Sequence, residues 1–269
     1  MTGMEEEANR EGGIQSTSEK AAEERMKGLC GSGGGVCWAL AAGMSLCLAM
    51  PGRAQGNAAQ TRRFVVVVDA AHGGADAGAA LAANGAAAAA LEKDVTLEMS
   101  RELRALLVAR GFTVVETREG DQAMDGDERA TVANRAAAEA CVVLHATEAG
   151  SGVHLFVSSL APAQVGLLMP WKTAQAGWVA ESLKLSGVLD ETLSAAGKED
   201  GAAIPVTMGR TTLPGVDSMA CPAVAVEVGP LRDGTRSVVS DVGDGEYRTR
   251  VMQALAAALL AWRSEAGEP

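Results

Sequence analysis

Aromatic side chains are scarce in this 269-residue sequence, at 3% of the chain, and basic charge is short as well. The 23 Lys and Arg stand against 34 Asp and Glu, leaving a formal net charge of -11. The first shortage argues against the stacked aromatic platforms that hold unpaired bases. The second argues against a phosphate-binding surface, which needs clustered cations, so no nucleic-acid partner is expected. Histidine is rarer still, with three in the chain, so the positions of those three carry weight. The apolar run "VCWALAAGMSLCLAM", Val36 to Met50, is 15 residues counted inclusively. That is short for a membrane span and suits the apolar centre of a secretory signal.

Around that run the N-terminal part divides in two. Residues 1–27 are polar and charged without an apolar period, which reads as disorder or as a mis-set start. Residues 28–54 read as a signal peptide, with Gly52 and Ala54 supplying small residues at a cleavage site. An uncleaved anchor is the other reading of the same run. Stable lipoprotein attachment fits less well, because Cys47 follows Leu46 rather than a small residue. Three of the five cysteines (Cys30, Cys37 and Cys47) fall here. The remaining pair, Cys141 and Cys221, sits in strand-like apolar runs and is expected to be two small buried thiols rather than a bridge.

Residues 63–265 alternate two patterns. Continuous β-branched or apolar runs read as buried strands: "FVVVVD" (Phe64 to Asp69), "FTVVET" (Phe112 to Thr117), "CVVLH" (Cys141 to His145), "GVHLFVSS" (Gly152 to Ser159) and "PAVAVEVG" (Pro222 to Gly229). Between them, helical spacing appears over Glu92 to Arg110, Asp127 to Ala140, part of Gln175 to Ala196, and Glu246 to Arg263. The alternation predicts one α/β domain of three layers, with a mostly parallel or mixed central sheet flanked by helices.

Three of the predicted strands run out into a side chain suited to chemistry: His72 just after the first, His145 at the end of "CVVLH", and Glu227 in "VAVEVG". In a parallel sheet those ends share one edge, where ligands bind in such folds. Glu92 opens the first long helix and is expected to project toward the same edge, with the helix dipole favouring its charge. Two His, one Glu and an open position form the ligand set of a catalytic zinc site. A further carboxylate that is not a ligand then moves the proton from water to the leaving amine, a role that suits Glu227. Each residue has a plainer reading. His72 before Gly73-Gly74 fits a turn, His145 a satisfied core histidine, and Glu92 a helix-start charge. Glu227 is costly in an apolar run unless paired. The third histidine, His154, reads as a surface or cleft-rim residue, since it lies early in its strand rather than at the end. Arg210 reads as a solvated loop arginine, or less readily as a donor to a peptide carboxylate. Trp171 and Trp178 suit either a cover over the cleft or core packing.

These stretches, in order, resemble the zinc-dependent N-acetylmuramoyl-L-alanine amidases of bacterial cell walls, whose motifs run roughly D-x-G-H-G-G, E-K, S-x-H-x-N and E-x-G. The matching segments are "DAAHGGADAG" (Asp69 to Gly78), "LEKDVTLEMSRELRALLVARGFTVVETRE" (Leu91 to Glu119), "DERATVANRAAAEACVVLHA" (Asp127 to Ala146) and "PAVAVEVGPL" (Pro222 to Leu231), with Thr117-Arg118, Arg129 and Ala133-Asn134 where the family carries TR, R and AN. The resemblance implies an α/β domain with His72, Glu92 and His145 as ligands of Zn2+ and Glu227 as the catalytic carboxylate. It implies hydrolysis of the amide between N-acetylmuramic acid and L-alanine in peptidoglycan, export to the periplasm or cell envelope, and a possible protein activator. This sequence departs from the pattern in three places. Ala70-Ala71 stand where the family has Pro-Gly, Val143 to Thr147 lack its Ser and Asn, and "VGPLRDG" lacks its aromatic and Asn. The alternative these departures leave is a catalytically weakened peptidoglycan-binding protein of the same fold. Asp69 is expected to fix the turn or to hold the second ring nitrogen of His72.

Overall fold

The valine run after Phe64 forms the inner strand from which the rest of the fold is built. The computed structural model describes residues 63–81, 90–164, 169–196 and 203–267, all within one compact unit, Ala58–Pro269. The expectations for residues 1–27 and 28–54 lie outside the described residues. In chain order come β1 (Val65–Ala70), a two-strand hairpin of β2 (Ala80–Leu81) and β3 (Ala90–Leu91), α1 (Glu92–Ala109), β4 (Thr113–Glu116), α2 (Gly126–Ala136), β5 (Ala140–Ala146) and β6 (Val153–Ser158). They are followed by α3 (Val179–Ala195), β7 (Val206–Thr211), β8 (Ala223–Val228), a hairpin of β9 (Leu231–Arg232) and β10 (Val238–Ser240), and α4 (Gly245–Gly267).

Six strands form the central sheet in the order β4-β1-β5-β8-β6-β7. The first four are mutually parallel, as expected for buried valine runs joined by helices. β6 runs antiparallel to β8, and β7 is parallel to β6, so the sheet is mixed. Alternation along each strand sends side chains to two cores. Val66, Val68, Val142, Leu144, Val224 and Val226 pack under α1, α3 and α4, against Met99, Leu103, Leu189 and Leu255 among others. The opposite face packs Val67, Val143 and Ala225 against Ala130 and Ala133 of α2 and the short turn carrying Val216 and Met219. Each fully buried Leu or Val contributes on the order of 1.5–3 kcal/mol relative to exposure. This is the predicted three-layer α/β architecture. Among the described residues, no helix is long and apolar enough to cross a membrane.

Three expectations are corrected here. Cys141 and Cys221 are not thiols but a disulfide, with Cα atoms 6.2 Å apart and both residues fully buried. They are 80 residues apart in sequence. The pairing of β5 with β8 brings them together, with Cys141 N–H donating to the Pro222 carbonyl at 2.8 Å. The second helix stops at Ala136 rather than Ala140, closed by Ala137 in the left-handed region (φ 48). Ala140 is instead hydrogen-bonded into the sheet opposite Val66. Arg210 lies on the edge strand β7, not in a loop. Its guanidinium is spent on the carbonyls of Ser158 and Leu160. β7 was invisible as a strand because its outward residues are exposed and it carries Gly209 and Arg210 mid-run.

Candidate active site

The turn after β1 brings the first histidine to the sheet edge in a strained backbone. His72 has φ 62, a left-handed value unusual for a residue with a Cβ. Two buried arginines hold this turn. Arg129 of α2 donates to Asp69 Oδ1 at 2.6 Å, to the Ala70 carbonyl at 2.7 Å and to the His72 carbonyl at 2.7 Å. Arg118 donates to the carbonyls of Ala70, Ala71 and Lys93 at 2.9, 3.0 and 2.7 Å. Thr117 Oγ1 donates to Asp69. Carbonyls that leave the ladder at a strand end would otherwise be buried without donors, and the arginines supply them.

Glu92 is the first residue of α1 and is only 5% exposed. Its carboxylate joins the two histidines: Oε2 lies 3.1 Å from His72 Nε2, and Oε1 lies 3.0 Å from His145 Nδ1. Backbone N–H groups of Ala79 and Ala146 donate to the same carboxylate at 2.9 and 3.1 Å. Burial alone would raise its pKa. The hydrogen bonds from His145, Ala79 and Ala146 outweigh burial and hold it at about 2. Gly78 makes room for this cluster, since a Cβ there would come within 2.7 Å of Glu92 Oε2 and 2.8 Å of His72 Cδ2. His72, Glu92 and His145 each present one ligand atom, and these atoms all lie within 4.8 Å of one another.

The other nitrogen of His72, Nδ1, is 2.8 Å from Asp76 Oδ2. The ring's partner is therefore Asp76, four residues on, and not Asp69, which is turned inward to Arg129 and only fixes the turn. A carboxylate on Nδ1 favours the N–H there, so that Nε2 can offer its lone pair to a cation held between it, Glu92 and His145.

Glu227 stands opposite His145 across the β5–β8 ladder and opposite His154 across the β8–β6 ladder. His154 Nδ1 lies 3.0 Å from Glu227 Oε2. Of the two positions expected for His154, the surface one is therefore corrected: its side chain is 13% exposed and paired with Glu227. Because β6 is antiparallel, its beginning lies at the edge where β1, β5 and β8 end. Trp171 is 54% exposed with Lys172 Nζ 4.8 Å from its ring, so it is not a core residue. Trp178 is half-buried at the start of α3.

The family model for N-acetylmuramoyl-L-alanine amidases (Amidase_3) matches residues 66–261, most of the chain. The chain belongs to this family. It is accordingly an enzyme that hydrolyses an amide bond of peptidoglycan. Solved amidase structures share its fold. The catalytic domain of CwlV from Bacillus (Paenibacillus) polymyxa var. colistinus superposes with a TM-score of 0.55 at 22% identity, over 75% of this chain and 98% of that one. Ami1 from Mycobacterium smegmatis gives 0.56 at 22% identity, over 75% and 97%. CwlD from Clostridioides difficile, solved in complex with the GerS lipoprotein, gives 0.55 at 19% identity, over 76% and 100%. No curated protein sequence matches the chain.

Proposed function

We propose that this amidase uses zinc held by His72, Glu92 and His145, with Glu227 as the catalytic carboxylate. In this reading it cleaves the amide between N-acetylmuramic acid and the L-alanine of the stem peptide. The observation that carries this is the convergence of two imidazole nitrogens and one carboxylate oxygen within 4.8 Å. That donor set fits zinc: nitrogen and oxygen ligands, three in number, with an orienting carboxylate (Asp76) on one imidazole. When bound, zinc supplies Lewis-acid polarisation of the scissile carbonyl and lowers the pKa of a water toward neutrality.

The chain's own residues do the rest. Glu227, on the strand next to His145, accepts the proton of the attacking water and delivers it to the nitrogen of the leaving L-alanine. Glu92, kept ionised by its hydrogen bonds, remains an anionic ligand across the working pH range. The Arg129 and Arg118 clamp keeps His72 at its left-handed position as substrate binds.

Export is part of the same proposal. The Cys141–Cys221 disulfide is what an oxidising compartment allows and a reducing cytoplasm disfavours. The apolar run Val36 to Met50 supplies a signal for getting there. The envelope role is then wall remodelling or daughter-cell separation, with peptidoglycan as the partner.

Metal analysis together with digestion of a defined muramyl peptide tests this reading. One zinc per chain is expected, with a free L-alanyl amino terminus among the products. Glu227→Ala should keep its zinc and lose product release, whereas His72→Ala or Glu92→Ala should lose zinc and activity together. Full activity in Glu227→Ala would remove that residue from the mechanism. Binding to wall sacs without any product would identify the weakened binder instead.

A further inference from the structure

Glu227 has an imidazole on either side of it. In the two ladders His145, Glu227 and His154 occupy one cross-strand row, and directly opposed residues share a face of the sheet. The two imidazoles divide the work: His145 turns its Nδ1 to Glu92, and His154 turns its Nδ1 to Glu227. Among the described residues, His154 is the only side chain hydrogen-bonded to the Glu227 carboxylate.

We propose that His154 is a positioning residue that holds Glu227 by one oxygen, so that Oε1 is the oxygen that carries the proton. This inference rests on Glu227 being the catalytic carboxylate. An ionised carboxylate is acceptor-only, so the 3.0 Å contact fixes the His154 tautomer with its proton on Nδ1. Glu has three side-chain torsions, and a single N–H donor on Oε2 removes the freedom that would let the two oxygens exchange roles.

The ring is itself fixed. A Cβ on Gly150 would lie 2.2 Å from His154 Cε1 and 2.3 Å from Nε2, so the imidazole rests directly against that glycine. Gly150 has φ +70, and its carbonyl accepts from Arg232 Nε at 3.0 Å. The β5–β6 turn is therefore shaped around the ring, and the ring cannot swing away from Glu227 on that side without moving backbone.

The test compares His154→Ala, His154→Asn and His154→Gln in the full zinc-loaded chain, with kcat and KM measured on a muramyl peptide and zinc content and thermal midpoint measured in parallel. His154→Ala should lower kcat by about tenfold to a hundredfold, the range seen for partners that orient catalytic groups, with KM and zinc content unchanged. His154→Asn, whose amide nitrogen falls near the place of Nδ1, should restore most of the loss, and His154→Gln, which reaches one bond farther, should not. Gly150→Ala puts a methyl into the ring's place with His154 intact and should reproduce the kcat defect. Wild-type kcat in His154→Ala, an Asn variant no better than Ala, or loss of zinc in His154→Ala overturns the assignment. If Glu227→Ala is inactive while His154→Ala is unimpaired, only the positioning role falls. If Glu227→Ala is fully active, the catalytic assignment falls first and this one with it.

Discussion

His72 is held from two directions, by Asp76 on Nδ1 at 2.8 Å and by Glu92 facing Nε2 at 3.1 Å. The hydrogen bond from His72 lowers the Asp76 pKa below its ordinary value, against the opposing effect of burial. Removing that acceptor frees the ring to rotate and to change tautomer. Asp76→Ala should therefore weaken zinc binding by about tenfold to a hundredfold while leaving the fold intact, as chelator competition would measure. An unchanged affinity would mean that the strained backbone at His72 orients the ring by itself. This residue also marks a boundary of legibility. That some acidic group would face the second nitrogen followed from general ligand chemistry, but Asp69 and Asp76 were both near enough in sequence to serve. Asp69 lies one residue before the end of β1, with its side chain toward α2 and Arg129, and no local pattern announces a partner 60 residues away.

At the scale of elements, the site is a product of strand ends secured by neighbouring helices. β1 delivers Asp69 to the α2 side of the sheet, and Arg129 of α2 both neutralises it and binds the carbonyls of the next turn. Both side chains are nearly inaccessible, at 3% and 9%. Arg129→Met leaves the buried Asp69 carboxylate without its cationic partner, with only the Thr117 hydroxyl still donating to it, and leaves the His72 carbonyl without this donor, and should destabilise the domain by roughly 3–5 kcal/mol in chemical denaturation. A loss under about 1 kcal/mol would mean that the pair behaves as a surface ion pair. α2 itself was readable from its helical spacing, and its start is fixed by a reciprocal capping box of Asp125 and Glu128. β6 was readable as a strand but not in its direction. Direction decides whether a residue near the start of a strand sits at the site or at the opposite edge, and for His154 it decided in favour of the site.

For the molecule as a whole, the disulfide ties β5 to the approach to β8 beneath both His145 and Glu227. Closing a loop of 80 residues constrains the unfolded chain strongly. Cys141→Ala with Cys221→Ala should lower stability by about 2–4 kcal/mol. Reductant should shift the thermal midpoint of the parent protein and not of the double variant. Acid should act through the carboxylates. Burial works to raise the Glu92 pKa, but hydrogen bonds hold it at about 2 against an ordinary 4.5, and Asp76 and Asp121 are also lowered. Groups with depressed folded pKa values stabilise fully above their ordinary values and lose that contribution as pH falls toward the folded ones. The zinc-free protein should therefore show falling denaturant midpoints between pH 4.5 and 2. Glu92→Gln should flatten that slope, and an equal slope in the variant would assign the acid sensitivity to other groups.

The sequence by itself determined the layer order, the buried strands and the four residues proposed for catalysis and metal binding. Continuous valine runs cannot be solvated, and a polar residue that closes such a run must be paired or functional. Only the tertiary structure decided what surrounds those residues. It turned β6 antiparallel and set His154 against Glu227, joined Cys141 to Cys221, added β7 at the edge, and gave His72 to Asp76 rather than Asp69. Burial and period are local properties of a chain. Partnership across a sheet depends on strand order and direction, which no single segment encodes.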